Sequence, residues 1–284
     1  MEKNTRRALT VIQHEDDCPP GMLEPLARAA GLTLNVIRPY RGEALPSLSN
    51  IASTSRGLII LGGGPGPLED DRYNWLAPCR KLCLDAVETT FPLFGICLGE
   101  ELLGAALGSA ITRRPEPAVG LCTVIAQPAA ATDPLFSRAE LHEIGTVFGA
   151  FQWHKDEVSA LPTTTPGGAP IVPLALDSEG RLEAFRAGEA TWGVQFHPEV
   201  TPAIATRWAA TSALTPAERE LDSFAREIEQ WRASAQRAPR FRRRFAATRS
   251  FPPPCAAGPP LGAAKGRKGY AACADASCTR AASR

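Results

Sequence analysis

The order of apolar runs in the first hundred residues constrains the fold more than any other feature. Short runs suited to buried strands, such as Ala8–His14 and Leu32–Pro39, alternate with segments of helical spacing, such as Leu23–Gly31 and Trp75–Val87. Strands joined by helices imply right-handed crossovers between parallel neighbours. The sequence therefore predicts an α/β fold, a mostly parallel sheet with helices on both faces.

Two of the predicted strands end in glycine-containing turns. The strand in GLIILGGGPGP enters a run of glycines after Leu61, and the strand in FPLFGICLG ends around Cys97. In parallel α/β sheets, ligands bind at the carboxyl ends of the strands. We therefore expect the functional site at these two turns.

The second half of the chain has a different pattern. Between Gly120 and Val200, five short apolar runs separated by turn residues predict a strand-rich region. We expect one domain over residues 1–212, an amphipathic helix within residues 213–236, and a disordered low-complexity tail over residues 237–284.

The tail and the body differ in charge. Of 31 Lys and Arg and 30 Asp and Glu, the tail holds eleven basic residues and one acid, which leaves 20 basic and 29 acidic residues in the body. A basic tail can contact nucleic acid phosphates without sequence specificity. The preferred interpretation is a solvated tail, or one that folds back on the acidic body.

Hydropathy and cysteine spacing exclude several classes of protein. Residues 1–7, MEKNTRR, lack the apolar segment that a secretory signal needs, and the printed sequence contains no apolar run of the roughly 18 residues that span a membrane. We therefore expect a cytoplasmic protein without a membrane partner. The eight cysteines lack paired zinc-type spacing, which argues against a metal site and a disulfide framework. Cys79 and Cys83 are predicted to pack in the core.

Cys97 is the first candidate for chemistry. It lies between Gly95 and Gly99 at a predicted turn from strand to helix, where the helix N-terminus would stabilise a thiolate. A buried structural cysteine is the alternative, since that is the commoner fate of this residue.

His197 is the candidate base. It follows a predicted strand in GVQFHPEV, and Glu199 shares its face if the backbone is extended. A carboxylate that holds one imidazole nitrogen leaves the other free to take a proton from a nucleophile. The alternative is a histidine that only ends the strand.

GICLGE and QFHPEV, about 100 residues apart in an α/β pattern, together resemble the class I (triad) glutamine amidotransferase family. The likeness covers about residues 8–210 and includes LGGGPG and FQWHKD. Within this family, the sequence is similar in particular to the stand-alone glutaminase domain related to the amidotransferase domain of GMP synthase. The resemblance implies a flavodoxin-like fold, glutamine as substrate, ammonia as product and a partner synthase that receives the ammonia, with no metal or organic cofactor.

The resemblance also implies roles for individual residues. Cys97 would be the nucleophile, His197 the base and then the acid, and Glu199 the carboxylate that orients the imidazole. Two backbone amides would form the oxyanion hole, one from Leu98 and one from either Gly63 or Gly64.

The sequence departs from the family pattern at two places. Glu101 replaces the family's glutamine one helical turn after the nucleophile, and it is expected to face the pocket. Glu100 is predicted to be a surface acid. Lys155 takes a place where relatives often have glycine. Trp153 and Asp156 would border the substrate, or would serve only in packing and capping.

Three hypotheses follow. The leading one is a glutaminase that passes ammonia to a synthase. The second is a γ-glutamyl hydrolase whose substrate head group is selected by Glu101 and Lys155. The third is a weakly catalytic module that binds a partner through its fold and basic tail.

Overall fold

The computed structural model describes residues 7–136 and 145–211. It contains nine strands and five α-helices within these residues. The strands are β1 Ala8–Ile12, β2 Thr33–Ile37, β3 Ser55–Ile60, β4 Leu93–Ile96, β5 Ala110–Ala126, β6 Val147–Ala160, β7 Ile171–Asp177, β8 Leu182–Ala187 and β9 Thr191–Val194. The helices are α1 Leu23–Ala29, α2 Leu48–Thr54, α3 Leu76–Glu88, α4 Leu98–Ala106 and α5 Pro202–Thr211.

All nine strands form one mixed sheet in the order β2-β1-β3-β4-β9-β8-β7-β5-β6. The pairs from β2 to β9 are parallel. The pairs from β9 to β6 are antiparallel. The predicted α/β fold is confirmed, and the antiparallel half corresponds to the strand-rich region that the sequence indicated.

Apolar residues that alternate along the strands face two separate cores. On one face, Val11 and Phe94 pack with Leu23 and Ala27 of α1. On the other face, the apolar sides of α2, α3 and α4 cover neighbouring strand residues such as Ile12. Helices therefore lie on both faces, because each central strand is apolar on both of its sides.

Several elements differ from the sequence prediction. Helices α2 and α5 were not predicted, although Ser47 caps α2 by accepting a hydrogen bond from the Asn50 amide. Strand β5 begins ten residues earlier than the predicted strand, at Ala110. The predicted helix in residues 213–236 and the predicted tail in residues 237–284 lie outside the described residues.

The cysteines of α3 are part of the core. Cys79 and Cys83 are fully buried against the sheet side of the helix, as predicted. No helix among the described residues is long and apolar enough to cross a membrane.

Candidate active site

The turn from β4 to α4 holds Cys97 in an unusual backbone conformation. Cys97 has φ 51° and ψ −109°, and it is one of two non-glycine residues with positive φ in the described ranges. The strand ends at Ile96 and the helix begins at Leu98, so the chain reverses within one residue. A Cβ atom at Gly95 would lie 2.4 Å from the backbone oxygen of Gly99, and one at Gly99 would lie 2.1 Å from the backbone oxygen of Ile60, so no side chain fits at either position. The sequence therefore forms the sharp turn that places a thiol above a helix N-terminus.

The surroundings of Cys97 disfavour a free thiolate. Burial, and then the carboxyl groups of Glu101 and Glu199, raise the pKa of the Cys97 thiol well above its usual value. The backbone amide of Leu98 opposes this effect by donating a hydrogen bond to the sulfur. These surroundings favour the protonated thiol, and attack by a protonated thiol requires a base that takes its proton.

His197 and Glu199 form a buried hydrogen-bonded pair. Nδ1 of His197 lies 2.8 Å from Oε1 of Glu199, and both residues are about 2% exposed. A carboxylate only accepts, so Nδ1 carries the proton and Nε2 is left with a lone pair. Nε2 has no hydrogen-bond partner among residues 7–136 and 145–211. The pair is thus arranged to accept a proton at Nε2.

The side chains of Cys97 and His197 both lie against the backbone of Gly62. A Cβ atom at Gly62 would lie 2.9 Å from Cε1 of His197 and 3.4 Å from Cβ of Cys97. Both residues line a cavity of about 330 Å³. The other lining residues are Glu15, Asp17, Cys18, Gly63, Gly64, Pro65, Glu101, Trp153, His154, Lys155, Asp156, Trp208 and Thr211.

The glycine turn after β3 forms one wall of this cavity. The amide of Gly64 is already engaged, because it donates to Oε1 of Glu15 over 2.7 Å. The Cys18 thiol donates to the same carboxylate oxygen over 3.2 Å. Of the two predicted alternatives for the second oxyanion donor, Gly63 is therefore the one whose amide is not taken by Glu15.

Glu101 faces the cavity, as its position one turn after Cys97 predicts. Its Oε1 accepts a hydrogen bond of 3.1 Å from Nε2 of Gln195. Burial raises the pKa of Glu101 to about 7, although the bond from Gln195 and the charge of Lys155 act in the opposite direction. Glu101 therefore changes its charge near neutral pH, directly beside the nucleophile.

The prediction that Glu100 is a surface acid is wrong. Glu100 is fully buried, and its Cγ would lie 2.6 Å from a Cβ at Gly193 on β9. Neither carboxyl oxygen has a partner in the part of the chain that the structure describes. Burial, with the nearby Glu101 and Glu183, raises the pKa of Glu100 well above its usual value. The first turn of α4 is enclosed on all sides, whereas the prediction assumed one exposed face.

The sequence Trp153–Asp156 lies on β6, and all four of its residues line the cavity. Asp156 receives hydrogen bonds of 2.9 Å and 3.2 Å from the Arg113 guanidinium. Nδ1 of His154 donates to the backbone oxygen of Asp156 over 2.9 Å, and burial lowers the pKa of His154 to about 3. His154 is therefore a neutral residue in the wall of the cavity.

Trp208 on α5 was missed by the sequence analysis. Its ring meets the His197 ring edge to face, with centroids 4.8 Å apart and planes at 72°. The signal available in the sequence was the start of α5, where Thr201 precedes Pro202 and its hydroxyl accepts from the Ile204 amide. That signal predicts a helix, but not the contact with His197.

The arrangement suits acyl transfer from an amide. A buried thiol at a helix N-terminus, an imidazole held by a carboxylate and a backbone amide on the facing turn are the parts that such a reaction needs. Within the described ranges, no group of three or more His, Cys, Asp or Glu side chains could hold a metal ion.

Known proteins are similar to this chain in sequence. YfeJ of Salmonella typhimurium, described as glutamine amidotransferase-like, is 26% identical over 226 residues, 78% of this chain and 88% of that protein. A component of the glutamine-hydrolysing GMP synthase of Sulfurisphaera tokodaii is 33% identical over 50% of this chain and 66% of that protein. The carbamoyl phosphate synthase small chain of Maricaulis maris is 29% identical over 61% of this chain, but only 41% of that protein.

Solved structures agree on the architecture. A glutamine amidotransferase from Methylobacillus flagellatus superimposes with a TM-score of 0.69 at 21% identity, over 86% of this chain and 94% of that one. A glutamine amidotransferase from Thermotoga maritima gives 0.67 at 18% identity, over 86% and 96%. The sequence model of the family described as glutamine amidotransferase class-I matches residues 25–209. The chain therefore belongs to the class I glutamine amidotransferase family.

Proposed function

We propose that the protein is a glutaminase, which hydrolyses the side-chain amide of L-glutamine through a thioester on Cys97. One observation carries this proposal: His197 gives Nδ1 to Glu199 and leaves Nε2 free, among the described residues, beside the cavity that Cys97 lines. Catalysis by this set of residues requires no metal or organic cofactor.

In the first half-reaction, Sγ of Cys97 bonds to the amide carbon while its proton moves to Nε2 of His197. Negative charge develops on the carbonyl oxygen, where the amides of Leu98 and Gly63 would stabilise it. The carbon–nitrogen bond then breaks, and His197 returns the proton to the departing ammonia. The γ-glutamyl group remains on sulfur as a thioester.

In the second half-reaction, His197 removes a proton from water, which attacks the thioester carbon. The carbon–sulfur bond breaks, the sulfur recovers the proton from His197, and glutamate leaves. Glu199 holds the imidazole in one orientation in both halves and stabilises it while it is charged. The raised pKa of the Cys97 thiol makes this base necessary in the first half.

The amino acid end of the substrate would be bound by the residues that depart from the family pattern. Glu101 and Lys155 line the cavity together with Trp153 and Asp156. Lys155 carries the charge needed for a substrate carboxylate, and Glu101 can meet a substrate amine or amide.

The ammonia would be used by a synthase. Two relatives are parts of enzymes that their names describe as GMP synthase and carbamoyl phosphate synthase. A separate partner that receives the ammonia is therefore part of this proposal. The proposal also includes a cytoplasmic location, as expected from the sequence.

The direct test is to incubate the purified protein with L-glutamine and to quantify glutamate and ammonia, which should form in equal amounts. A Cys97→Ala variant is the control for contaminating activity. Turnover that depends on Cys97 supports the proposal. Absence of turnover in the wild type, with turnover in Glu101→Gln, would instead show that free glutamine is not the substrate.

A second candidate keeps the chemistry and changes the substrate. It is a γ-glutamyl hydrolase, and the acid at Glu101 and the cation at Lys155 favour it because both lie in the cavity where the family pattern differs. It predicts slow hydrolysis of glutamine and faster hydrolysis of a larger γ-glutamyl amide, with the same dependence on Cys97.

A further inference from the structure

Trp208 is the aromatic residue that contacts the imidazole of His197. The two rings meet with centroids 4.8 Å apart and planes at 72°. Trp208 is 5% exposed and also lines the cavity. Trp208 therefore contacts His197, the candidate base, and also borders the cavity in which a substrate would bind.

His197 needs a second restraint besides Glu199. The hydrogen bond at Nδ1 fixes one atom of the ring, and Nε2 has no partner that the described residues supply. The χ2 torsion of histidine has broad minima, so one hydrogen bond leaves the ring plane free to tilt about that contact. A tilt displaces Nε2, the atom that must receive the proton from Cys97.

Trp208 is held firmly enough to provide this restraint. Its indole N–H donates to the backbone oxygen of Asp17 over 2.7 Å. Its ring lies against Trp153 at 5.8 Å and against Phe151 at 6.3 Å between centroids. Phe151 and Trp153 are themselves stacked, with planes 9° apart. Contacts with residues of two distant parts of the chain thus fix the indole.

We propose that Trp208 is a positioning residue: its ring fixes the plane of the His197 imidazole, and with it the position of Nε2 in the cavity that Cys97 also lines. This inference rests on the proposed glutaminase function for its kinetic consequence, but the ring contact itself does not. It makes α5 a part of the active site, although α5 carries none of the motif residues.

The kinetic test compares two substitutions. Trp208→Leu removes the ring and retains apolar volume, and kcat on glutamine is expected to fall by about tenfold to a hundredfold, the cost of a small misplacement of a reacting group. Trp208→Phe keeps one aromatic ring but loses the second ring of the indole and the bond to Asp17, so it should recover part of kcat and remain clearly faster than Trp208→Leu.

A matched control separates positioning from general loss of packing. Trp192 is also buried and donates its indole N–H to Asp133 over 2.9 Å, but it lines no part of the cavity. Trp192→Leu, the same substitution at this site, should leave kcat of the folded protein unchanged. An equal fall in kcat for Trp192→Leu and Trp208→Leu would overturn the positioning role.

Nuclear magnetic resonance tests the contact without any activity. In the wild type, nuclear Overhauser effects should connect the indole of Trp208 with the ring protons of His197, and the Nδ1-bound proton of His197 should be visible. That proton should broaden or vanish in Trp208→Leu. Absence of the Overhauser effects in the wild type would refute the proposal even if Trp208→Leu does not fold. If glutamine is not hydrolysed, the proposed function fails, while these spectra still decide the role of Trp208.

Discussion

The two halves of the sheet contribute different parts of the candidate site. The parallel half supplies Cys97 after β4, the glycine turn after β3 and the segment with His197 and Glu199 after β9. The antiparallel half supplies the wall at Trp153–Asp156 on β6. The two main family motifs, GICLGE and QFHPEV, lie in the parallel half, whereas FQWHKD, with its exchange of glycine for Lys155, lies in the antiparallel half. We infer that reaction chemistry and substrate selection are separated along the sheet, with Glu101 as the exception.

The largest effect is expected from Glu199→Gln, in the parallel half. An amide would allow or favour the wrong imidazole tautomer, so kcat on glutamine should fall by about 10³-fold while KM changes by less than about threefold. Steady-state kinetics with ammonia detection measures both constants. A rise in KM with unchanged kcat would contradict the assignment of the reaction chemistry to the parallel half of the sheet.

Lys155→Gln, in the antiparallel half, should act in the opposite way. It removes a charge from the wall, so KM for glutamine should rise by about tenfold and kcat should stay within about threefold. Lys81→Gln is a suitable control, because Lys81 pairs with Asp85 at the surface of α3, outside the cavity. A loss of kcat in Lys155→Gln, with KM unchanged, would contradict the separation.

Glu101→Gln sharpens the comparison because Glu101 belongs to α4 but faces the substrate space. With a pKa of about 7, Glu101 is mostly neutral at pH 6 and mostly ionised at pH 8, where its charge opposes formation of the Cys97 thiolate. The ratio of kcat/KM between the variant and the wild type should therefore rise by up to about tenfold between pH 6 and pH 8. A ratio that is independent of pH would show that the charge of Glu101 does not affect the reaction rate.

The smallest effect on turnover, and a clear effect on stability, is expected from Glu183→Gln on β8. Burial raises the pKa of Glu183 from its ordinary value of 4.5 to about 8, while the hydrogen bond from Gln152 acts in the opposite direction. The folded state therefore binds the proton more tightly, and the stability that this gives is lost as pH rises towards and through about 8.

Glu183→Gln removes this titration. Its melting temperature should exceed that of the wild type by several degrees at pH 9, with a smaller difference or none at pH 5. Thermal unfolding followed by circular dichroism at both pH values measures this. The kcat should not change, since Glu183 lines no part of the cavity. A variant that is less stable than the wild type at pH 9 would contradict the prediction.

The sequence predicted the turn at Cys97 and the position of Glu101 better than it predicted the surroundings of these residues. The turn at Cys97 and the spacing of His197 and Glu199 are local features, so short motifs were enough to identify them. Glu100 was misplaced because one helical face was assumed to be exposed, whereas every residue from Leu98 to Gly104 is buried. Trp208 was missed because its contacts with β6 and with the turn after β1 join elements far apart in the chain, which no local pattern encodes.

The backbone at Cys97 carries a further consequence. A non-glycine residue at φ 51° and ψ −109° costs on the order of 1–3 kcal/mol, which the rest of the fold must offset. Glycine would relieve that strain but lose the thiol, so Cys97→Gly should lack the proposed activity. The proposed chemistry and the stability of the fold therefore place opposite demands on the backbone at position 97.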